Sequence, residues 1–228
     1  MRRHAVLTPG LGQVDFGDLR RTEPISRTFG LDRGVPIDRH YIEGFLAANS
    51  SAIRGRVLEI GDRTYTERFG GSAVQHSDVL HVTGDSPEAT IIANLTNAPQ
   101  IADDTFDCII LTQTLQFTFA MQSTVAELHR ILKPGGCVLC TVPGISQISR
   151  YDMDRWGDYW RLTSLSAREL FETAFTSRGI EVVTYGNVFA ATALLHGLAV
   201  SEVLTAELDV HDDDYQVIVA IRATKSAA

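Results

Sequence analysis

The chain is poor in the residues that build special scaffolds. Three cysteines among 228 residues are too few, and odd in number, for a disulfide framework. Eighteen glycines and seven prolines without a repeat exclude a collagen-like or low-complexity chain. Basic residues are outnumbered, 20 against 28 acidic ones, for a formal charge of −8. A general attraction to phosphate backbones is therefore not expected, and nucleic acid is not an expected partner. Long hydrophobic runs are also missing. The most apolar stretch, Val188 to Val200, contains His196 and Gly197. It falls short of the roughly 20 residues that cross a bilayer, so a buried or interface helix is expected and no membrane span. The opening MRRHAVLTPG has two arginines but no apolar run of roughly 7–15 residues behind them. It does not read as a secretory signal, and the expected location is cytoplasmic.

What is present is the composition of a folded domain: 44% hydrophobic, 21% charged, mean hydropathy near zero. At roughly 100–200 residues per domain, the length suits one large domain with appendages. Residues 1 to about 36 are rich in Gly, Pro, Arg and Asp and read as an arm. Asp38 is placed to cap a helix through HYIEGFLAA, where Tyr41, Ile42, Phe45 and Leu46 share one face. After Gly55 comes RVLEIG, a nearly continuous apolar run ending in glycine, which suits a strand covered on both faces. Similar runs follow in AVQHSDVL, ATIIANL, FDCIIL, CVLCTV, IEVVTY and YQVIVAIRA. A helix over roughly Met121 to Leu132 separates two of them and ends at Lys133-Pro134-Gly135-Gly136. Strands alternating with helices predict a doubly wound α/β sheet, whose ligands bind beyond the carboxyl ends of the strands. Cys137 and Cys140 fall on one strand at a spacing that points them to opposite faces, which argues against a zinc or redox pair.

The order VLEIG, SDVL, ANLTNAPQIADDTFDCIIL and ELHRILKPGG resembles the class I S-adenosylmethionine-dependent methyltransferase family from about Gly55 to Pro143. The stretches FGLDRGVPIDRHYIEGFL and YDMDRWGDYWRLTSLSARELF look like a branch of methyltransferases found with glycan biosynthesis enzymes. The resemblance implies a Rossmann-like, mostly parallel sheet of about seven strands, with an N-terminal arm and an extra helix between the last two strands. It divides the chain into an arm and lid helix (1–50) and a methyltransferase-like α/β domain (51–228), with 147–165 as a substrate-side loop.

S-adenosylmethionine is the implied cofactor. Gly61 lets the backbone turn sharply beside a ligand, and Glu59 and Asp62 flank it; Glu59 can pair with a ligand ammonium. The family carries further glycines two and four residues on, where this chain has Arg63 and Tyr65, so the glycine-rich loop is incomplete. Asp78 aligns with the acid that holds ribose hydroxyls, and His81 takes its place if the strand runs two or three residues further. Asn94 and Leu95 stand where the family recognises adenine, an amide oxygen accepting the bond an acid would. Gln113 and Thr114 occupy the loop beside the sulfonium.

Methyl transfer rests on alignment and exclusion of water. No metal spacing and no Ser nucleophile elbow is seen, which argues against a hydrolase, and an NAD-linked reductase would need a fuller glycine fingerprint. The segment from Arg150 to Arg161 holds both tryptophans beside three aspartates and three arginines. Aromatic platforms with carboxylates suit a sugar ring, and arginines suit a phosphate. Asp152 and Asp154 are the candidate bases; Arg33, Arg39, Arg150, Tyr151, Arg155, Trp156 and Tyr159 are the candidate substrate contacts. The expected partner is a small-molecule or glycan acceptor. The arm from Arg27 to Arg39 folds over the cofactor, contributes to the acceptor site or simply docks, and GNVFAATALLHGLAV either closes over the acceptor or forms a homodimer face. The rival reading is a non-catalytic protein of the same fold serving as an interaction or regulatory subunit.

Overall fold

The apolar runs become the strands of one sheet in the computed structural model, which describes residues 8–227. The first seven residues of the expected arm, with the two N-terminal arginines, lie outside the described residues. The strands are β1 (Gly55–Ile60), β2 (Val74–His81), β3 (Ile91–Ile92), β4 (Phe106–Thr112), β5 (Leu132–Pro143), β6 (Ile180–Tyr185) and β7 (Ile218–Thr224). Their order is β3-β2-β1-β4-β5-β7-β6. Only β7 runs antiparallel to its neighbours. The seven-stranded, mostly parallel α/β fold is the one the sequence predicts.

Period-two alternation divides the side chains between two cores. Leu58, Ile109, Val138 and Ile221 pack on one face, and Val57, Ile110, Leu139 and Ala220 on the other. Cys140 belongs to the first core and Cys137 to the second, so the C-x-x-C spacing does not bring their sulfurs together. The first face is covered by α2 (Met121–Ile131) and α4 (Ser164–Glu172). The second is covered by α1 (Ile37–Ala48) and by the extra helix between the last two strands, here α5 (Val188–His196). Two short helices, α3 (Arg150–Met153) and α6 (Thr205–Leu208), sit in the connections.

In α1, Ile37, Tyr41, Ile42, Phe45 and Leu46 are buried, each contributing about 1.5–3 kcal/mol as a fully buried apolar side chain. The N-cap of α1 is Pro36, not Asp38; Asp38 lies inside the first turn, because the ring of Pro36 favours the extended conformation that precedes a helix. The arm docks on the end of α5. Gly197 closes that helix at φ 71°, and the backbone of Ser26 passes so close that a Cβ on Gly197 would strike it. Pro36 and Ala199 form a β-bridge beside this junction.

The half of the sheet before β4 is thin. The β1–β2 crossover holds a short π-helical turn, Thr66–Gly70, and no α-helix lies between β2 and β4. The expected strand ATIIANL shrinks to β3 because Asn94 turns the chain, its Oδ1 accepting from the Thr96 amide at 3.0 Å. Chain order reverses between β1 and β4, so the ends of these two strands diverge and open a crevice.

Candidate active site

A cavity of about 980 Å³ fills that crevice. This lies at the upper end of the usual range for small-molecule sites, roughly 300–1,000 Å³, and leaves room for a nucleoside cofactor and a small acceptor together. Its floor is the carboxyl end of β1 (Glu59, Ile60, Gly61) and of β4 (Thr112, with Gln113 and Thr114 beyond). The arm and α1 line it through Phe29, Asp38 and Arg39, and the segment after β5 lines it through Asp152, Trp156 and Tyr159. Leu80, His81, Asn94 and Leu95 complete it.

Two backbone features mark the floor. Gly61 has φ 92°, and the space its absent Cβ would occupy is open. A side chain there would be strained and would project from the turn, so glycine is required at this position. Gln113 has φ 47°, an uncommon conformation for a residue with a Cβ, and its amide donates to the Thr141 carbonyl at 2.9 Å. Beyond it Gln116 is buried and lines the cavity, its Nε2 donating to Gln113 Oε1 at 3.4 Å while its Oε1 has no partner among the described residues.

The structure spreads the expected site residues more widely than the sequence does. Glu59 is buried at the cavity floor, but its Oε1 accepts from the Tyr65 amide at 3.1 Å and its Oε2 from the Thr66 amide at 2.7 Å. It ties down the start of the π-helical turn that replaces the glycine-rich loop. Burial pushes its carboxyl above the usual range, against these hydrogen bonds. Asp62 also lines the cavity, and its Oδ1 caps the Thr64 amide at 2.8 Å. Asp78 does not line it. Strand β2 runs three residues past Asp78, so the end of the strand is His81, the alternative the sequence leaves open. Asp78 is instead held by Arg56 and Thr90. Asn94 and Leu95 are at the cavity, with the Asn94 side chain engaged by its own turn.

In the segment after β5, Arg150, Tyr151, Asp152, Trp156 and Tyr159 all line the cavity, and Arg39 lines it from α1. Asp154 and Arg155 are not at the cavity. Asp154 pairs with Arg150 at 3.2 Å one helical turn away, and the Arg155 guanidinium lies over the Tyr151 ring at 3.5 Å. Asp152, expected as a base, lines the cavity, and its Oδ1 accepts from Trp156 Nε1 at 3.0 Å and its Oδ2 from Ser149 Oγ at 2.5 Å. Arg33 is withdrawn from the cavity as well, its Nε donating to Glu202 Oε2 at 2.9 Å. Glu202 is 169 residues away in sequence, and the bond to Arg33 holds its carboxyl down at about 2.

Sequence reasoning gave no role to Gln116 and no individual one to Asp158 and Arg161, where a half-buried guanidinium meets a buried carboxylate at 2.6 and 2.9 Å and fastens the segment after β5. It also missed Phe119, whose ring meets Tyr159 at 5.4 Å and Trp160 at 5.7 Å between centroids. The run of aromatics around Tyr159 and Trp160 was the one available signal. Among the described residues no cluster of His, Cys, Asp and Glu could hold a metal, and no helix is long and apolar enough to cross a membrane.

A seven-stranded α/β sheet with its cavity at the switch point and a glycine at the end of β1 defines a Rossmann-like nucleotide-cofactor fold. Residues 73–140 match the family described as methyltransferase domain. The match starts after β1, and so leaves out the loop where the expected glycines are missing. Among solved structures, an S-adenosylmethionine-dependent methyltransferase from Archaeoglobus fulgidus is 10% identical, with a TM-score of 0.55 over 82% of this chain and 94% of that one. The N-methyltransferase NodS from Bradyrhizobium japonicum, in complex with S-adenosylhomocysteine, is 15% identical, with a TM-score of 0.53 over 88% and 96%. The [4+2]-cyclase SpnF is 18% identical, with a TM-score of 0.51 over 82% of each chain. Comparison with curated protein sequences yields no match. Residues 73–140 thus match a methyltransferase domain, and the solved structures share the fold of the whole sheet.

Proposed function

We propose that this chain transfers a methyl group from S-adenosylmethionine to a hydroxyl of a small sugar or glycan-related acceptor. The observation that carries the reading is that Trp156, Tyr151 and Tyr159 line the same cavity as the β1 and β4 strand ends. Flat apolar rings beside charged hydrogen-bonding groups suit the two faces of a sugar, and Arg150 suits an attached phosphate.

The protein's own features fit the cofactor. Gly61 leaves open space at the floor, the buried acceptors Asp38 Oδ1 and Gln116 Oε1 have no hydrogen-bond partner among the described residues, and Leu95 offers an apolar contact for a base. When bound, the cofactor supplies an electrophilic methyl on a sulfonium. His81, at the end of β2, stands where ribose hydroxyls are expected, with Nδ1 held by Thr83 at 2.9 Å. Gln116 Oε1 is a hydrogen-bond acceptor for the donor group of the incoming molecule. Trp156 and Tyr159 exclude water from the acceptor side, and alignment then does most of the work. Asp152 holds Trp156 in place, and the proton released by the acceptor hydroxyl passes to bulk water.

A second reading is favoured by a specific observation. Glu59, Asp78 and Asn94 all spend their side chains on the protein itself, as in a chain of this fold that serves as an interaction or regulatory subunit. Titration calorimetry with S-adenosylmethionine and with S-adenosylhomocysteine separates the two. Micromolar binding of both, followed by methyl transfer in a screen of sugars and glycolipids, is the expected result. A folded protein that gives no heat with either overturns the enzyme reading in favour of the second.

A further inference from the structure

The first turn of α1 carries a buried carboxylate oxygen with no hydrogen-bond partner among the described residues. Asp38 lines the cavity, and its Oδ1 is buried with no hydrogen bond among the described residues. Burial holds its carboxyl above the usual range, and the adjacent Arg39 does not offset this. A buried carboxylate oxygen without a hydrogen bond is costly, and a ligand cation is a natural group to complete it. Arg39 lines the same cavity and donates from Nη1 to Tyr65 Oη at 2.6 Å, which leaves the rest of its guanidinium fork without a carboxylate partner among the described residues. Tyr65 joins this turn to the end of β1, since its amide is one of the two that Glu59 holds. The side chain expected to take a ligand ammonium is thus spent on two backbone amides, while an adjacent acid and base stand unspent beside the same loop.

We propose that the first turn of α1, and not Glu59, holds the α-amino-acid end of the cofactor: Asp38 accepts from its ammonium and Arg39 donates to its carboxylate. The arrangement matches a zwitterion, charge for charge, at neighbouring positions. It rests on the S-adenosylmethionine reading above, and it makes the arm helix part of the cofactor site. It also gives Arg39 a different ligand from the acceptor the sequence assigns to it.

The test is calorimetry on the full chain with two probes, S-adenosylhomocysteine and 5′-methylthioadenosine, which keeps the adenosine and thioether but lacks the amino-acid end. Asp38→Asn and Arg39→Met are each expected to weaken S-adenosylhomocysteine by about tenfold or more, the size of a lost charge-assisted bond, and to leave 5′-methylthioadenosine unchanged. Glu59→Gln is expected to leave the ratio of the two affinities as in the wild type. Melting of each variant without ligand establishes that it folds. Equal S-adenosylhomocysteine affinity in wild type and Asp38→Asn, or an equal loss for both probes, overturns the clamp while the cofactor reading stands. A folded wild-type protein that binds neither probe overturns the cofactor reading and the clamp with it.

Discussion

Arg56 holds Asp78 across the first two strands, Nε to Oδ2 at 2.7 Å, while Thr90 Oγ1 reaches the other carboxylate oxygen at 3.1 Å. Burial pushes the Asp78 carboxyl up, and the hydrogen bond and charge of Arg56 more than reverse this, for a net value below the usual range. The pair therefore stabilises the fold. Asp78→Ala is expected to lower stability by about 1–3 kcal/mol in denaturant unfolding, and to leave S-adenosylhomocysteine affinity unchanged. Because the folded carboxyl is depressed, its contribution is present above the ordinary value of 3.8 and is lost as pH falls through the folded value. The stability gap between wild type and variant closes in that acid window; a gap that persists at the lowest pH, or a lost affinity, contradicts this assignment.

Glu59 makes the same argument at the cavity floor. Its carboxylate holds two backbone amides at 3.1 and 2.7 Å in a buried turn. Glu59→Ala strands both donors and is expected to cost about 1–3 kcal/mol or more, seen as a lower melting temperature without ligand. Glu59→Gln keeps one carbonyl acceptor and is expected to fall less. An acid kept only for a ligand would leave both melting curves unmoved.

The fold was legible in the sequence because burial on both faces forces continuous apolar runs, and RVLEIG, FDCIIL and CVLCTV have no other soluble use. The floor of the site was legible for a related reason, since a strand that ends in glycine fixes Gly61 at the crevice. What escaped was set by a shift of a few residues or by contacts distant in sequence. Whether β2 ends at Asp78 or at His81 decides which side chain meets the ligand, and apolar patterning does not resolve three residues. Arg33 looked free for a substrate because Glu202 lies 169 positions away. Asp38 looked like a cap because an acid at a helix start usually is one; only the packed arm shows that Pro36 fills that place and leaves the carboxylate facing the cavity.

Asp38 also predicts an unusual pH response. Its folded carboxyl is raised, chiefly by burial, so the unliganded protein is most stable below the ordinary value of 3.8 with respect to this group, and loses that contribution as pH rises through the folded value. Asp38→Asn removes the charged form. The variant is expected to melt higher than wild type near neutral pH without ligand, with the difference shrinking as pH approaches 3.8. A variant less stable than wild type at neutral pH would mean that the carboxylate has a protein partner.

Trp156 and Asp152 separate a brace from a base. The indole lines the acceptor side of the cavity, meets the rings of Tyr151 at 6.3 Å and His81 at 6.4 Å between centroids, and is fixed by its Nε1 bond to Asp152 at 3.0 Å. Removing the ring opens the wall against which the acceptor is aligned, so Trp156→Ala is expected to lower kcat/KM by roughly 10- to 100-fold with S-adenosylhomocysteine affinity unchanged. Asp152→Asn keeps an oxygen that accepts from the indole N–H, and is expected to hold kcat within a few-fold of wild type. A proton acceptor at that position would lose about 10²–10⁴-fold in the same change. Steady-state kinetics on the two variants with one acceptor thus decides whether the carboxylate positions the ring or takes the proton: a mild Asp152→Asn beside a severe Trp156→Ala supports the brace, and the reverse order restores Asp152 as the base.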